Sequence, residues 1–316
     1  MMRYVLRRVL LLAGSLLAAS ALTFLLLSLL PGDPARTILG VEATEEQVAE
    51  LSSMLGTDRP APIRYLHWLG DLLTGDLGQS YVGGGPVGPE ILDRMAVTAP
   101  LGLSAFVLSV VIAVPLGVWA ALRHRSPVGV VVSAISQLGV AVPIFWIGIL
   151  LVAVFALNLG WAPPGGFPVA GWAEPGEAVR SLVLPVITLA VAQAAALLRY
   201  VRSATLDVIH QDFLRTARSV GQTRAQALWR HGLRNACVPV LSVLGVQLAG
   251  SLLGAVIVES VFTLPGLGRM LLTDVGNRDL VKVQATVFLM TAVVLVVGFL
   301  VDVAQRALDP RLRAAR

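Results

Sequence analysis

The chain has 316 residues, 56% of them hydrophobic and only 14% charged, with a mean hydropathy of +0.80. That balance excludes a soluble globular domain and describes an all-α, polytopic membrane protein. Period-two alternation is absent from the apolar runs, which argues against a membrane β-barrel. The net charge of +5 is assigned to loops on one membrane face, not to nucleic acid. A single cysteine, Cys237, excludes an intramolecular disulfide, and its apolar setting reads as a small buried core residue rather than a reactive thiol.

Arg3, Arg7 and Arg8 precede an apolar run at 9–30. Ala18-Ala19-Ser20-Ala21 looks faintly like a signal-peptidase site. The run continues past it, however, and about 22 apolar residues suit a full, uncleaved span. From 31 to 97 the chain is polar and acid-rich. Thr44 with Gln47 forms a capping box, Val48, Leu51 and Leu55 share one helical face, and Gly56 ends that helix. A second amphipathic helix starts after Pro62, with Ile63, Leu66, Leu69 and Leu73 on one face. A Gly-rich turn region follows at 75–85. The segment is too short for a core of its own.

Further apolar runs at 98–122, 128–157, 181–198, 237–258 and 281–304 complete six predicted transmembrane helices. Pro115, Pro143 and Pro185 interrupt three of them. Of the 24 Lys and Arg residues, sixteen fall on the side of both termini and the 212–239 loop, and eight on the other. The excess places both termini and that loop in the cytoplasm, and 31–97 outside.

The 212–239 stretch is the longest polar, basic interval in the second half. It reads as two short helices with a bend between them. Asp212 caps the first, and Gly221 sits at its left-handed end. Thr223 with Gln226 opens the second. Ala225, Ala227, Leu228 and Trp229 supply apolar surface, while Arg224, Arg230, His231 and Arg234 make the helix cationic. Three readings are open: a loop held inside by charge, a helix on anionic headgroups, or a knob inserted into a soluble partner.

Catalysis has little support. His67, His124, His210 and His231 pair with no carboxylate at metal-ligand spacing, and no nucleophile elbow occurs. The only lysine, Lys282, lies outside any phosphate-loop pattern, so ATP hydrolysis would belong to another polypeptide. No metal or cofactor is expected in this chain. Polar residues inside the spans are few: Gln137, Gln193, Gln247, Ser133, Ser136, Thr188 and Ser251, with Glu259 and Asp302 at span ends. No carboxylate marks a midplane coupling-ion site. Gln193 and Gln247, with Ser251, are candidates to face a translocation pathway. Interhelical hydrogen bonding is the competing account of the glutamines.

Several segments resemble the transmembrane subunit of binding-protein-dependent ABC importers of the dipeptide/oligopeptide/nickel permease family. Arg215-Thr216-Ala217 stands where the family's EAA loop begins, with Gly221 four residues after Ala217. The first position is not acidic, and Pro239 falls later than in the sugar-importer form. Arg230-His231-Gly232-Leu233-Arg234-Asn235-Ala236 followed by Val238-Pro239 resembles the peptide-importer variant. Leu30-Pro31-Gly32-Asp33-Pro34, Gly75-Asp76-Leu77-Gly78-Gln79-Ser80 and Val142-Pro143-Ile144-Phe145-Trp146 match in order. So do Glu259-Ser260-Val261-Phe262-Thr263-Leu264-Pro265-Gly266-Leu267-Gly268 and Leu308-Asp309-Pro310-Arg311.

The resemblance implies a type I ABC importer permease fold in the bacterial inner membrane. It divides the chain into a tail and first span at 1–30, an extracytoplasmic helical segment at 31–97, a five-helix core at 98–304 with a coupling loop at 201–236, and a cytoplasmic tail at 305–316. It further implies a second, homologous permease subunit as a heterodimer partner, two ABC ATPase subunits that bind ATP and Mg2+, and an extracytoplasmic binding protein. The helix from Thr223 to Asn235 would dock in a groove of the ATPase, bent at Gly221, with Leu228 and Trp229 filling an apolar pocket. The 31–97 segment is either a surface for the binding protein or a structural cap. Di- and oligopeptides are the default substrates, with nickel chelates, glutathione-like peptides and opines open. The alternative is an ion-coupled secondary transporter or channel acting without ATPases.

Overall fold

The computed structural model describes residues 2–29, 34–40 and 42–308. Helix dominates, and among the described residues the extended pairing amounts to one isolated bridge, Gln79 with Pro86. Helix α1 spans Met2–Ser28 and merges the basic tail with the first apolar run. Helix α2 covers Pro34–Leu39, and α3 covers Glu45–Leu55. The expected capping box opens α3, with Thr44 Oγ1 accepting from the Gln47 amide and Gln47 returning the bond. Helix α4 spans Ala61–Thr74 and stops at Gly75, whose φ of +83° is the left-handed conformation that favours glycine.

Helix α5 runs from Val87 to Leu122, so it begins well before the apolar run at 98. Its first turns are buried rather than solvated: Val87 and Ile91 are each 1% exposed. Helix α6 is Pro127–Ala141, and α7 is Ile144–Leu151 continued by a π-helical turn over Val152–Asn158. Helix α8 spans Pro175–Ile209 and α9 spans Asp212–Ser219. Helix α10, Arg224–Ala227, continues through a π-helical turn at Leu228–Gly232 into α11, Leu233–Val261. Helices α12, Leu267–Gly276, and α13, Leu280–Leu308, are the last among the described residues.

Among the described residues five helices are long and apolar enough to cross a membrane, and six spans result if the bent α6–α7 pair counts as one. That pair corrects the expectation of three proline interruptions. Pro115 sits inside a continuous α5 and Pro185 inside a continuous α8. Only at Pro143 does the chain break, with a 101° bend. The preceding Val142 is extended (φ −80°, ψ 125°), the conformation that a following proline imposes when the helix does not override it.

The helices fall into two compact units, one of Met1–Val97 with Pro265–Val296, the other of Thr98–Leu264 with Val297–Arg316. In the first, α4 is held to α1 and α13 by aromatic contacts. Tyr65 and Trp68 bracket Phe24, Trp68 meets Phe288 edge-on at 5.7 Å, and Tyr65 Oη bonds Ser20 Oγ at 2.9 Å. Amphipathic helices at 61–74 thus gain a partner surface without needing a core of their own. In the second unit α8 is central. Ala113, Ala194, Leu197, Leu198, Val201 and Val240 pack together there. The Thr98 hydroxyl donates to the fully buried Glu259 at 2.6 Å and ties α5 to α11. Cys237 departs from expectation. It is exposed on α11, although Ala236 and Val240 nearby are buried.

Candidate coupling segment and transport cleft

Of the two short helices expected in the basic stretch, α9 is one, but past Val220–Gln222 the second, α10, does not end and runs through the π-helical turn into α11. The N-cap of α9 is Gln211, one residue before the expected Asp212, which instead sits in the first helical turn. Gly221 has φ +93°, as its expected place at a helix end requires. Thr223 caps α10: its Oγ1 accepts from the Gln226 amide at 3.2 Å, and Gln226 Oε1 accepts from the Thr223 amide at 3.1 Å. Thr223→Ala removes the first of these bonds, while the main-chain amide that donates the second remains, and it should cost about 1 kcal/mol of local helix stability. Amide exchange over 223–232 should then rise about fivefold. Unchanged exchange would show that packing alone fixes the turn.

Packing is the second restraint. Leu214, Ala227, Leu228, Val208 and Ala236 form one buried cluster, backed by Val118, Leu122, Ile209 and Ala217. Leu228 is 0% exposed. Its apolar surface is used within this chain, which corrects the expectation that it fills a partner's pocket. Gly232 allows this closeness, since a Cβ there would lie 2.7 Å from Leu228 Cδ1. The segment is therefore stapled to the ends of α5, α8 and α11.

What remains outside the cluster is a mixed face. Trp229 is 65% exposed and Val220 79% exposed, and Phe213 is also exposed. Arg215, Thr216, Arg218, Arg224, Arg230 and His231 are exposed around them, while Ala217 is half-buried. Arg215 makes only a long, solvated pair with Asp212 at 3.4 Å. Pro239 lies inside α11 and is exposed, and the Arg234 side chain falls outside the described residues. Phe213 and Val220 were missed in the sequence. The available signal was a large apolar residue on each side of a helix too short and polar to bury it.

Farther along the second unit, Gln193 and Gln247 meet. Gln247 Nε2 donates to the Gln193 main-chain carbonyl at 2.8 Å, joining α11 to α8. The Gln193 carboxamide is buried. Its oxygen lies 3.5 Å from Ser109 Oγ, and its Nε2 has no partner in the structure. Both glutamines line a mainly apolar cleft of about 290 Å³ shared with Gly139, Val142 and Ile144 at the α6–α7 break. Ser251 does not join them; its buried hydroxyl donates to the Leu248 carbonyl. The site can offer an amide donor in an uncharged, low-dielectric cleft. Among the described residues no group of three or more His, Cys, Asp or Glu is placed to hold a metal ion.

A polytopic helical bundle with a stapled basic segment and an uncharged internal cleft is the architecture of a transport subunit. The comparisons with known proteins agree. Residues 113–314 match the family described as binding-protein-dependent transport system inner membrane component, and residues 1–102 match that family's N-terminal membrane component. The chain belongs to this family of ABC importer permeases. It is 37% identical over 314 residues to the glutathione transport system permease protein GsiC of Salmonella choleraesuis, covering 99% of each chain. It is 34% identical to the oligopeptide transport system permease protein AppB of Bacillus subtilis, again covering 99% of each. Among solved structures, the MetNI methionine ABC transporter in an inward-facing conformation shares the fold. The TM-score is 0.57 at 19% identity, over 70% of this chain and 96% of that one. An amino acid ABC transporter gives 0.53 at 20% identity, over 69% and 94%.

Proposed function

We propose that this chain is one of two homologous permease subunits in an ATP-driven importer of di- and oligopeptides or close relatives such as glutathione. Two partner ATPases supply ATP hydrolysis with Mg2+, and an extracytoplasmic binding protein delivers the substrate. Both termini and the basic segment face the cytoplasm. The names of the relatives support the substrate class, and the arginine asymmetry supports the orientation.

One observation carries the reading: the basic segment is rigidly stapled by Leu214 and Leu228, yet presents Phe213, Val220, Trp229 and Arg230 outward. A flexible loop held inside by charge would not bury a leucine completely. Such an element transmits force because ATPase closure moves it as a body, and the attached ends of α5, α8 and α11 move with it. The 31–97 segment is assigned to binding-protein docking. Its acids steer a basic patch on that partner.

Peptide uptake into proteoliposomes holding the complete complex tests the reading. Uptake should require ATP and binding protein and ignore proton or sodium gradients. Gradient-driven uptake without ATP would replace it with an ion-coupled carrier. For the cleft, Gln247→Leu should lower uptake about tenfold, the cost of about one lost polar contact to substrate, while leaving assembly intact. Equal loss of uptake and assembly would assign Gln247 to interhelical bonding alone.

A further inference from the structure

The first unit contains a second cleft, of about 370 Å³, that the coupling and transport account does not use. Glu90 and Arg94 stand one turn apart near the start of α5. Asp274 comes from α12, Asp279 from the turn after it, and Lys282 from the first turn of α13. Lys282 Nζ lies 2.9 Å from Glu90 Oε2 and 3.1 Å from Asp274 Oδ1. Arg94 Nη2 donates to the other Glu90 oxygen at 3.4 Å. Ser80 Oγ donates to Asp279 Oδ2.

Two polar atoms are left over. Asp274 Oδ2 and Arg94 Nε are both buried and have no hydrogen-bond partner in the structure. Asp274 is only 4% exposed, and both residues line the cleft. Buried polar groups are nearly always paired, so an unmatched acceptor and an unmatched donor in one cleft define what is missing from it. The formal charges there cancel: Glu90, Asp274 and Asp279 against Arg94, Arg269 and Lys282. A net anion or net cation gains nothing from such a wall overall, whereas a molecule with separated charges matches it. Burial pushes the Asp274 carboxyl up, with Lys282 opposing and Asp279 and Glu90 reinforcing the shift. An arriving cation would relieve that strain on the ionised form.

We propose that this cleft binds a zwitterionic solute bearing one ammonium and one carboxylate, with the ammonium on Asp274 Oδ2 and the carboxylate on Arg94 Nε. The inference rests on the importer reading, which makes a short peptide the relevant source. A free amino acid carries the same two groups. The cleft would then hold solute with residues of the first unit alone.

Calorimetric titration of the full-length chain, within its complex in lipid nanodiscs, provides the test. The probes are glycine, diglycine, triglycine, N-acetyl-diglycine and diglycinamide. Blocking either end of diglycine should weaken binding at least about tenfold. Asp274→Asn should weaken diglycine to the same extent, and exposed Asp93→Asn should leave it unchanged. Arg94→Gln should abolish the discrimination between diglycine and its amide, which keeps the proposal testable if Asp274→Asn misfolds. Tightest binding of glycine would identify amino acids as the source, and of diglycine or triglycine, peptides. No zwitterion binding, or binding indifferent to end-blocking and to Asp274→Asn, would overturn the proposal. ATP-driven uptake by a complex lacking such binding would remove this cleft and leave the importer reading standing. Binding without ATP-driven uptake would do the reverse.

Discussion

Replacing Gly221 with valine should reduce ATP-driven uptake about tenfold or more without preventing membrane insertion. No atom lies within 4 Å of where its Cβ would sit, so the substitution causes no clash. The cost is in the backbone. At φ +93° a β-branched residue is strained by about 1–2 kcal/mol. The chain relieves that strain by re-angling α9 against α10. Leu214 and Leu228 hold their two helices in the same buried cluster, so re-angling disturbs the geometry of Trp229 and Arg230 rather than the fold of the bundle. Uptake per inserted molecule, measured beside ATPase activity, separates the cases. Hydrolysis that continues while uptake falls is the expected signature of uncoupling. Normal uptake would show that the segment does not transmit force.

Lys282→Met is expected to destabilise the first unit by about 3 kcal/mol, because removing one partner of a buried pair leaves an uncompensated charge. Lys282 and Asp274 side chains are 11% and 5% exposed. Glu90 is 36% exposed and retains Arg94, which keeps the estimate at the low end of the usual range. The thermal midpoint in detergent should fall by about 5–10 °C. Exposed pairs give the contrast. Arg215 with Asp212, at 71% and 94% exposure, should contribute no more than about 0.5 kcal/mol. The loss in Lys282→Met should also shrink as pH falls. The Asp274 carboxyl is raised in the folded state, so the fold binds its proton more readily than the unfolded chain does, and acidification favours the fold at this group. A midpoint unchanged by the substitution, or one falling further with acid, would contradict the network's role.

Local signals in the sequence proved reliable where one or two residues decide the outcome. Both capping boxes formed at Thr44 and Thr223, and Gly56, Gly75 and Gly221 all adopted positive φ. Apolar runs located the spans, because length and hydropathy alone set a membrane helix. Helix extent was less legible: α5 and α8 run past their apolar runs because first and last turns pack on neighbours that composition cannot reveal. Proline showed the same limit. Pro115, Pro185 and Pro143 look alike in sequence, and tertiary packing decided that only the last breaks its helix. Burial of individual side chains was the least legible level. Leu228 turned inward and Cys237 outward, and the meeting of Glu90, Asp274 and Lys282 depends on contacts across nearly 200 residues of chain. The proposal that the 215–231 segment docks on an ATPase draws on the exposed mixed face together with membership in the permease family.

Affinity purification of this chain from its native membrane, with mass spectrometry of whatever accompanies it, tests the central claim most directly. The account predicts a second polytopic permease of the same family and two ABC ATPase chains, with ATPase lost and the second permease retained when Trp229 and Arg230 are replaced by glutamate. A chain recovered alone or as a homodimer, without ATPase, would contradict it.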